Sequence, residues 1–332
     1  MFPSCPPEVL DLLRAAGEVI IIGHKDPDGD CLYSTLALAE LLRGMGKSCL
    51  TVNSGPFDKP ETASAAPSFV TSVGDEVYSR DPLLVVLDCS SMDRTGDALD
   101  AAKAGKLRTV IIDHHASFEQ SSAASYRVPQ SISTTLLILQ IARQLGAELT
   151  KGFARYVLRG FLTDSGCFRF LGKDQGDQLM MVADLIGRFG LSINFECESL
   201  FSHDDRRSCI WLSRLLGRTA WCCGGSVALS YVTEEDIREF DGIASPSSDY
   251  YARVMKVEGI KVAVLLRFED ENSTSIGLRS THMSNFDVGS LAQNFPRRIS
   301  GGGHFHAAGG LMGVGLEQAV PVIIGALEAA LG

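Results

Sequence analysis

The sequence predicts an α/β fold: a parallel-sheet N-terminal domain, a second, smaller α/β domain, and a cleft between them. In the first half, short apolar runs of strand length alternate with helix-like segments, which is typical of a parallel sheet. After Gly224, the pattern changes to alternating apolar and polar residues, which indicates a second, β-rich domain. A length of 332 residues also favours two domains.

Each predicted element follows from the spacing of its apolar residues and from the glycines or polar residues that bound it. Strands of the first domain are predicted at 19–22, 83–87 and 110–112, and helices at 31–44, 133–145 and 153–162. Residues 174–216 are predicted to be helical throughout. In the second domain, strands are predicted at 227–232, 261–268 and 274–279, and helices at 234–240 and 316–331. The domain boundaries are placed at 1–190 and 225–332, with a helical connection at 191–224.

Composition limits the kind of partner. The net charge of −10 argues against an extended grip on long nucleic acid, which needs many cations facing phosphates. Nine scattered cysteines, several of them within apolar runs, indicate reduced thiols. No export signal or membrane-length apolar segment occurs, so a cytoplasmic protein with no membrane partner is expected.

Four groups of acidic and histidine residues follow predicted elements, three of them at strand ends. Residues 23–30, Gly-His-Lys-Asp-Pro-Asp-Gly-Asp, place one histidine and three carboxylates in a forced turn. The other groups are Asp88, Asp113-His114-His115 and Asp164. Because the carboxyl ends of parallel strands meet at one edge of a sheet, these side chains are expected to converge.

Each group also has an ordinary structural explanation. A single Asp at a strand end commonly caps a helix or forms a turn, and Asp-His-His is compatible with a capped turn beside one buried imidazole. Their joint occurrence is what favours a site. Imidazole and carboxylate ligands suit Mn²⁺, Zn²⁺ or Fe²⁺. Two such ions about 3.5 to 4 Å apart can activate water and stabilise an in-line displacement.

This ordered set resembles the DHH phosphoesterases. The resemblance rests on His-x-x-Pro-Asp-Gly-Asp, a strand-end Asp, Asp-His-His and Thr-Asp-x-Gly. In the second half, Gly-Leu-Arg-Ser at 277–280 and the glycine-rich run at 301–310 resemble the two signatures of the DHH-associated substrate domain. The resemblance covers nearly the whole chain and implies that 1–190 is the metal-binding catalytic domain and 225–332 the substrate-binding domain.

The resemblance implies two divalent metal ions, Mn²⁺ foremost, held by six residues. His24 and Asp28 would ligate one ion, Asp30, His114 and Asp164 would ligate the other, and Asp88 would bridge both. Asp113 would orient a neighbouring imidazole, and His115 would face the scissile phosphate as a donor or proton carrier. Asp26 lies outside the family's ligand set and is interpreted as a turn acid.

Five residues of the second domain are implied to bind substrate: Arg279, Ser280, Gly302, Gly303 and His304. A guanidinium gives bidentate bonds to a phosphate, and a glycine run can expose backbone N–H groups to an anion, as nests do. On the residues alone, the favoured explanations are a surface arginine and a tight connection toward the last helix.

The function implied is hydrolysis of short oligonucleotides or linear dinucleotides to mononucleotides, with 3′-phosphoadenosine 5′-phosphate as a second substrate. One alternative is a cyclic di-AMP phosphodiesterase. Another is a catalytically silent nucleotide-binding sensor, against which the presence of all six ligands argues. A homodimer is left open. Tyr33 stands where the family usually has glycine, and it is expected to reshape the mouth of the site.

Overall fold

A computed structural model of the chain describes residues 2–89, 92–115, 123–201 and 205–331. The chain divides into two compact units, Met1–His203 and Asp204–Gly332. The predicted connection at 191–224 is thus shared: helix Ile193–Phe201 belongs to the first unit and helix Arg206–Gly217 to the second. The assignment of the second unit as a substrate-binding domain stays a prediction. No described helix has the length and apolar character needed to cross a membrane.

The first unit is built on a five-stranded sheet in the order β2-β1-β3-β4-β5, in which every neighbouring pair is parallel, as predicted. The strands are β1 (Glu18–Ile22), β2 (Ser48–Val52), β3 (Leu83–Leu87), β4 (Thr109–Asp113) and β5 (Ala124–Arg127). The helices are α1 (Pro7–Ala15), α2 (Gly29–Gly44), α3 (Pro60–Ala63), α4 (Asp75–Tyr78), α5 (Ala101–Ala104), α6 (Thr134–Leu145), α7 (Lys151–Asp164), α8 (Gly176–Phe189) and α9 (Ile193–Phe201). Short 3₁₀ turns occupy Ala66–Ser68 and Met92–Thr95.

The central strands are largely apolar because both faces of the sheet are covered. Successive side chains of a strand point to opposite faces. In β1, Val19 and Ile21 therefore pack into one core cluster, whereas Ile20 and Ile22 pack into another. All five residues of β3 are buried. This burial fixes the sheet on which the candidate site is built.

Two glycines let α2 and α7 approach closely beside that sheet. A Cβ added to Gly29 would lie 2.2 Å from Cγ2 of Thr163, and one added to Gly160 would lie 2.6 Å from Oδ1 of Asp30. No larger side chain fits at either position without displacing a helix. The close approach brings the start of α2 and the end of α7 to the same region.

The second unit contains a six-stranded sheet in the order β10-β11-β9-β8-β7-β6, antiparallel except between β7 and β8. Its strands are β6 (Ala220–Cys222), β7 (Val227–Val232), β8 (Val262–Asp270), β9 (Ser273–Ser280), β10 (Arg298–His304) and β11 (Ala307–Met312). Its helices are α10 (Arg206–Gly217), α11 (Glu234–Glu239), α12 (Ser247–Val254), α13 (Val288–Asn294) and α14 (Leu316–Leu331). A 3₁₀ turn occupies Cys223–Gly225.

The glycine run at 301–303 belongs to the edge strand β10 and not to a tight connection toward the last helix, which was the alternative explanation. The reason is the close packing of α13 on this strand. A Cβ added to Gly301 would lie 2.3 Å from the backbone oxygen of Ala292 in α13. The glycines thus allow a helix to lie directly on the strand, and an edge strand exposes backbone groups along its free side.

Candidate metal centre

The site lies where three neighbouring strands of the first unit end. His24 follows β1, Asp88 follows β3, and Asp113 is the last residue of β4. In the order β2-β1-β3-β4-β5, the connections leave β1 and β3 toward opposite edges of the sheet. Open parallel sheets form their ligand crevice at such a point, at the carboxyl ends of the strands. The structure therefore brings the predicted strand-end residues together.

Asp88 lies between two imidazoles. Its Oδ2 is 3.6 Å from Nε2 of His24, and its Oδ1 is 3.4 Å from Nε2 of His114. The side chain is 2% exposed, and the hydroxyl of Thr134 donates to Oδ1 at 3.0 Å. The backbone of Asp88 is left-handed, with φ of 53°, a conformation that Asp and Asn adopt more readily than most residues. The two oxygens of one carboxylate thus face two different histidines.

Both histidines direct the same ring nitrogen inward. Nδ1 of His24 donates to the backbone oxygen of Lys25 at 2.7 Å, and Nδ1 of His114 donates to that of Ser131 at 3.0 Å. Because a carbonyl oxygen can only accept, Nδ1 carries the proton in each neutral ring, and Nε2 has a free lone pair. Metal-ligating histidines are commonly oriented by such a bond from their other nitrogen.

The two predicted ligands on α2 also shape the helices. Asp28 caps α2 by accepting from the amide of Cys31 at 3.0 Å, while its Oδ2 lies 3.8 Å from Nε2 of His24. Asp30 is fully buried and accepts from the amides of Thr134 at 2.6 Å and Thr135 at 3.2 Å. Asp30 therefore caps the start of α6 from a distant part of the chain.

Asp164 completes the cluster from the end of α7. Its Oδ2 lies 3.2 Å from Nε2 of His114. Among the described residues, three groups have donor atoms that all lie within 4.8 Å of one another. They are Asp30 with His114 and Asp164, His24 with Cys31 and Asp88, and Asp88 with His114 and His115. Asp88 is shared by two groups that centre on different histidines.

The cluster concentrates negative charge in a buried place. Burial opposes a charge on His24 and His114, but the neighbouring carboxylates outweigh it and raise the pKa of both imidazoles, that of His114 to about 12. Burial raises the pKa of Asp164 to about 6 and that of Asp30 well above its usual range, and nearby carboxylates add to both shifts. For Asp88, contacts with the two imidazoles outweigh burial and lower the pKa. The centre therefore requires compensating positive charge.

This donor set fits divalent metal ions. Buried carboxylates and two imidazoles with inward lone pairs provide the mixed oxygen and nitrogen ligands that Mn²⁺, Fe²⁺ and Zn²⁺ accept. Bound cations would supply the positive charge that protonated histidines otherwise carry, so protons and metal ions compete for the centre. The buried thiol of Cys31 lies within one of the groups, but burial raises its pKa to about 12.

His115 and Asp113 form a pair beside this cluster. Nδ1 of His115 donates to Oδ1 of Asp113 at 2.7 Å, and the backbone amide of His115 donates to the same oxygen at 3.1 Å. Asp113 is fully buried, whereas the His115 side chain is 36% exposed. The hydrogen bond to Asp113 is the main reason why the pKa of His115 is raised. This hydrogen bond uses Nδ1 of His115 and does not involve Nε2.

Two residues that support the site were not predicted from the sequence. The hydroxyl of Thr134 donates a hydrogen bond to Asp88, and its backbone amide donates one to Asp30. Asn53 donates from Nδ2 to the backbone oxygen of His24 at 3.0 Å and accepts from the amide of Gly55 at 2.8 Å. The run Ser-Ile-Ser-Thr-Thr at 131–135 marked only a helix start, and nothing in the sequence marked Asn53.

The expectation for Tyr33 is wrong. Its side chain is 1% exposed and packs within the first unit, with its ring 6.2 Å from that of Tyr156. The guanidinium of Arg159 lies 5.4 Å from the Tyr33 ring. Tyr33 lines a pocket with Arg155, Arg159 and Tyr156 and is held among the side chains of the helices.

The predicted substrate residues of the second unit lie on β9 and β10. Arg279 has its guanidinium 4.9 Å above the Tyr251 ring and donates to the backbone oxygen of Leu278 at 2.8 Å. Ser280 lies with its Oγ 2.9 Å from Nδ1 of His306. The three other residues are on β10 and pair with β11: Gly302 with Gly309, Gly303 with Ala308, and His304 with Ala307.

Comparison with known proteins supports the resemblance to the DHH family. Residues 18–161 match the DHH family, N-terminal domain. The bifunctional oligoribonuclease and PAP phosphatase NrnA of Thermus thermophilus is 29% identical over 96% of this chain and 92% of its own. Residues 18–161 are therefore a DHH-family domain. The resemblance inferred from the motifs is thereby confirmed.

Two further comparisons concern a manganese-dependent relative and a solved structure with a similar fold. A probable manganese-dependent inorganic pyrophosphatase of Listeria welshimeri is 25% identical over 53% of this chain and 59% of its own. The crystal structure of an exopolyphosphatase-related protein from Bacteroides fragilis superimposes with a TM-score of 0.82 at 22% identity, covering 99% of this chain and 98% of that one. The second likeness supports the α/β fold.

Proposed function

We propose that this DHH protein is a metal-dependent phosphoesterase that hydrolyses short oligonucleotides or linear dinucleotides to mononucleotides, with 3′-phosphoadenosine 5′-phosphate as a second substrate. The observation that carries the proposal is Asp88, whose two oxygens face the inward nitrogens of His24 and His114. Similarity to an oligoribonuclease and PAP phosphatase over 96% of the chain supports the choice of substrate.

We assign two divalent ions, Mn²⁺ foremost, to the six predicted ligands. His24 and Asp28 would hold one ion, Asp30, His114 and Asp164 would hold the other, and Asp88 would bridge both. Such ions, when bound, activate water and neutralise charge on a phosphoryl group. The protein's contribution is to fix the ligands: Asp30 by two backbone amides, and both histidines by backbone oxygens.

His115 is the proposed proton carrier. Asp113 fixes its ring through Nδ1 and favours the protonated form, so Nε2 can donate to a phosphoryl or leaving oxygen. In the second unit, we propose that Arg279, Ser280, Gly302, Gly303 and His304 bind the rest of the nucleotide. Arg279 is suited to binding a phosphate because its planar guanidinium group is supported by the ring of Tyr251.

The test is product analysis by chromatography with purified protein and Mn²⁺. The substrates are linear diadenylate, a five-residue RNA, a long RNA, 3′-phosphoadenosine 5′-phosphate, cyclic di-AMP and pyrophosphate. Mononucleotide release fastest from diadenylate and the short RNA is expected. Preference for cyclic di-AMP or pyrophosphate would replace the proposed substrate, and Mn²⁺ binding without turnover of any substrate would indicate a nucleotide sensor.

A further inference from the structure

Two cysteines of the first unit bring their sulfur atoms close together outside the metal centre. Sγ of Cys167, in the turn after α7, lies 3.3 Å from Sγ of Cys197 on α9. All nine cysteines are free thiols, and both members of this pair are half-buried. A disulfide has an S–S distance of about 2 Å, so an approach of about 1.3 Å would join them.

We propose that Cys167 and Cys197 form an oxidative modification site at which a hydroperoxide converts the two thiols into a disulfide, and that this bond reshapes the turn that follows Asp164. The proposal is independent of the substrate on which the metal centre acts. In a reducing compartment, such a bond would be transient and redox-sensing instead of structural.

The chemistry balances in two steps. The Cys167 sulfur attacks one oxygen of the peroxide, the O–O bond breaks, and the products are a sulfenic acid and one water or alcohol. The Cys197 sulfur then attacks the Cys167 sulfur, the S–O bond breaks, and the leaving hydroxide departs as water with the Cys197 proton. Two electrons pass from the two sulfurs to the peroxide.

The environment of Cys197 supports this order. Burial, with an added contribution from the Cys167 thiol, raises the pKa of Cys197 to about 12. Cys197 is therefore held as a thiol at neutral pH, and a thiol is a poor nucleophile toward peroxide. We accordingly assign Cys167 as the sulfur that meets the oxidant and Cys197 as the one that resolves the sulfenic acid.

The turn that carries Cys167 has an unusual backbone. Gly166, Cys167 and Phe168 are all left-handed, with φ of 54°, 53° and 71°. For the two non-glycine residues this conformation is costly, and it persists only where surrounding contacts fix it. The amide of Cys167 donates to the oxygen of Leu162 at 2.8 Å, and the amide of Phe168 donates to Oγ of Ser165 at 3.1 Å. A displacement of Cys167 therefore acts directly on the hydrogen bonds that hold this turn.

Helix α9, which carries Cys197, is joined to α7 by ion pairs. Glu196, next to Cys197, is 3% exposed and accepts from Arg155 at 2.8 Å and from Arg159 at 2.7 Å. Both arginines belong to α7, which ends at Asp164. Because α9 is fixed to α7 in this way, we expect Cys167 to move toward Cys197 when the bond forms. Asp164, three residues before Cys167, is expected to shift with the turn.

The experiment uses the full chain and maps the bond directly. Reduced protein is treated with a small excess of hydrogen peroxide, blocked with N-ethylmaleimide and digested with trypsin. Cleavage gives the peptides 160–169 and 189–206, which contain Cys167 and Cys197 as their single cysteines. A linked pair of these peptides, separable by dithiothreitol, is the expected product. Linkage of other cysteines, or blocked thiols at both positions, would overturn the proposal.

Variants and a metal titration test the connection to Asp164. Cys167→Ser and Cys197→Ser should each abolish the linked product, whereas Cys209→Ser, at an exposed cysteine of the second unit, should retain it. Mn²⁺ affinity, measured by electron paramagnetic resonance, should fall about tenfold on oxidation of the native chain and stay unchanged in Cys197→Ser. A disulfide-bonded protein with unaltered Mn²⁺ affinity would overturn the coupling to Asp164.

Discussion

Oδ1 of Asp113 lies 2.7 Å from Nδ1 of His115, so a fully buried carboxylate fixes the ring of a partly exposed imidazole. Asp113→Asn keeps the size of the side chain but removes its charge and weakens the hydrogen bond. We expect kcat to fall about 10- to 100-fold, with little change in KM. Steady-state kinetics with linear diadenylate provide the measurement. Mn²⁺ affinity should be unchanged, and its loss would show instead that Asp113 acts on the metal ligands.

The substitution Asp88→Asn tests whether Asp88 bridges two metal ions. Asp88 has φ of 53° and Asp26 has φ of 51°, and Asn tolerates that conformation as Asp does. The substitution therefore removes charge without adding backbone strain. Turnover should fall at least about 10³-fold, because a neutral amide is a poor bridge between two cations. Asp26→Asn is the matched control and should keep near-native turnover, and similar losses in both variants would refute the assignment.

Gly160→Ala tests the close approach of α7. Its Cβ would lie 2.4 Å from Cγ2 of Thr135 and 2.6 Å from Oδ1 of Asp30. We expect a loss of about 1–3 kcal/mol in the free energy of unfolding, measured with urea, because the helix must move outward. Gly187, in helix α8, has open space around its Cβ position. Gly187→Ala should leave stability unchanged or raise it by up to about 1 kcal/mol. Equal effects at both positions would contradict this packing.

Arg279→Lys tests the second unit's part in binding. Lysine keeps the charge but loses the planar fork above Tyr251. KM for diadenylate should rise about tenfold while kcat changes little, as when an interaction common to substrate and transition state is lost. Arg253→Lys, at an exposed position of α12, is the control. An unchanged KM for Arg279→Lys would remove this residue from the binding site.

The lowered pKa of Asp236 predicts that the stability of the protein depends on pH. It is fully buried and accepts hydrogen bonds from Arg218, Arg214 and the amide of Thr233. Burial opposes its charge, but these bonds outweigh burial and lower its pKa to about 2. A lowered native pKa stabilises the fold above the unfolded value near 4, and this contribution is lost as pH falls toward 2. The free energy of unfolding of Asp236→Asn should therefore be about 2 kcal/mol lower than that of the native chain at pH 6. This difference in free energy should shrink below about pH 4.

The sequence was sufficient for the central strands and for the strand-end residues. Strands β1, β3 and β4 are covered on both faces, which makes them continuous apolar runs. Strands β2 and β5, at the edges of the sheet, have half-exposed residues and carry a weaker pattern. The glycine-rich strand β10 lacks the usual signature of a strand because its packing depends on absent side chains.

The supporting residues of the site could not be predicted, because their contacts join distant parts of the chain. Thr134 bonds Asp88 across 46 positions and Asp30 across 104. Asn53 reaches the backbone of His24 across 29 positions. No spacing rule within a helix or strand connects such pairs. The left-handed turn at Cys167 is equally invisible, since its conformation is fixed by neighbours rather than by residue type.

The capping of α6 by Asp30 has a consequence for the order of assembly. The first amides of that helix are satisfied by a carboxylate that arrives from 104 positions earlier, while its own Ser133 makes no side-chain cap. The helix start is therefore completed only when the chain around β1 and α2 has already joined it. A metal ion would then bind to a site that is already formed by folding. Removal of the ion with a chelator should therefore leave the native secondary structure intact, whereas small zinc domains unfold without their metal.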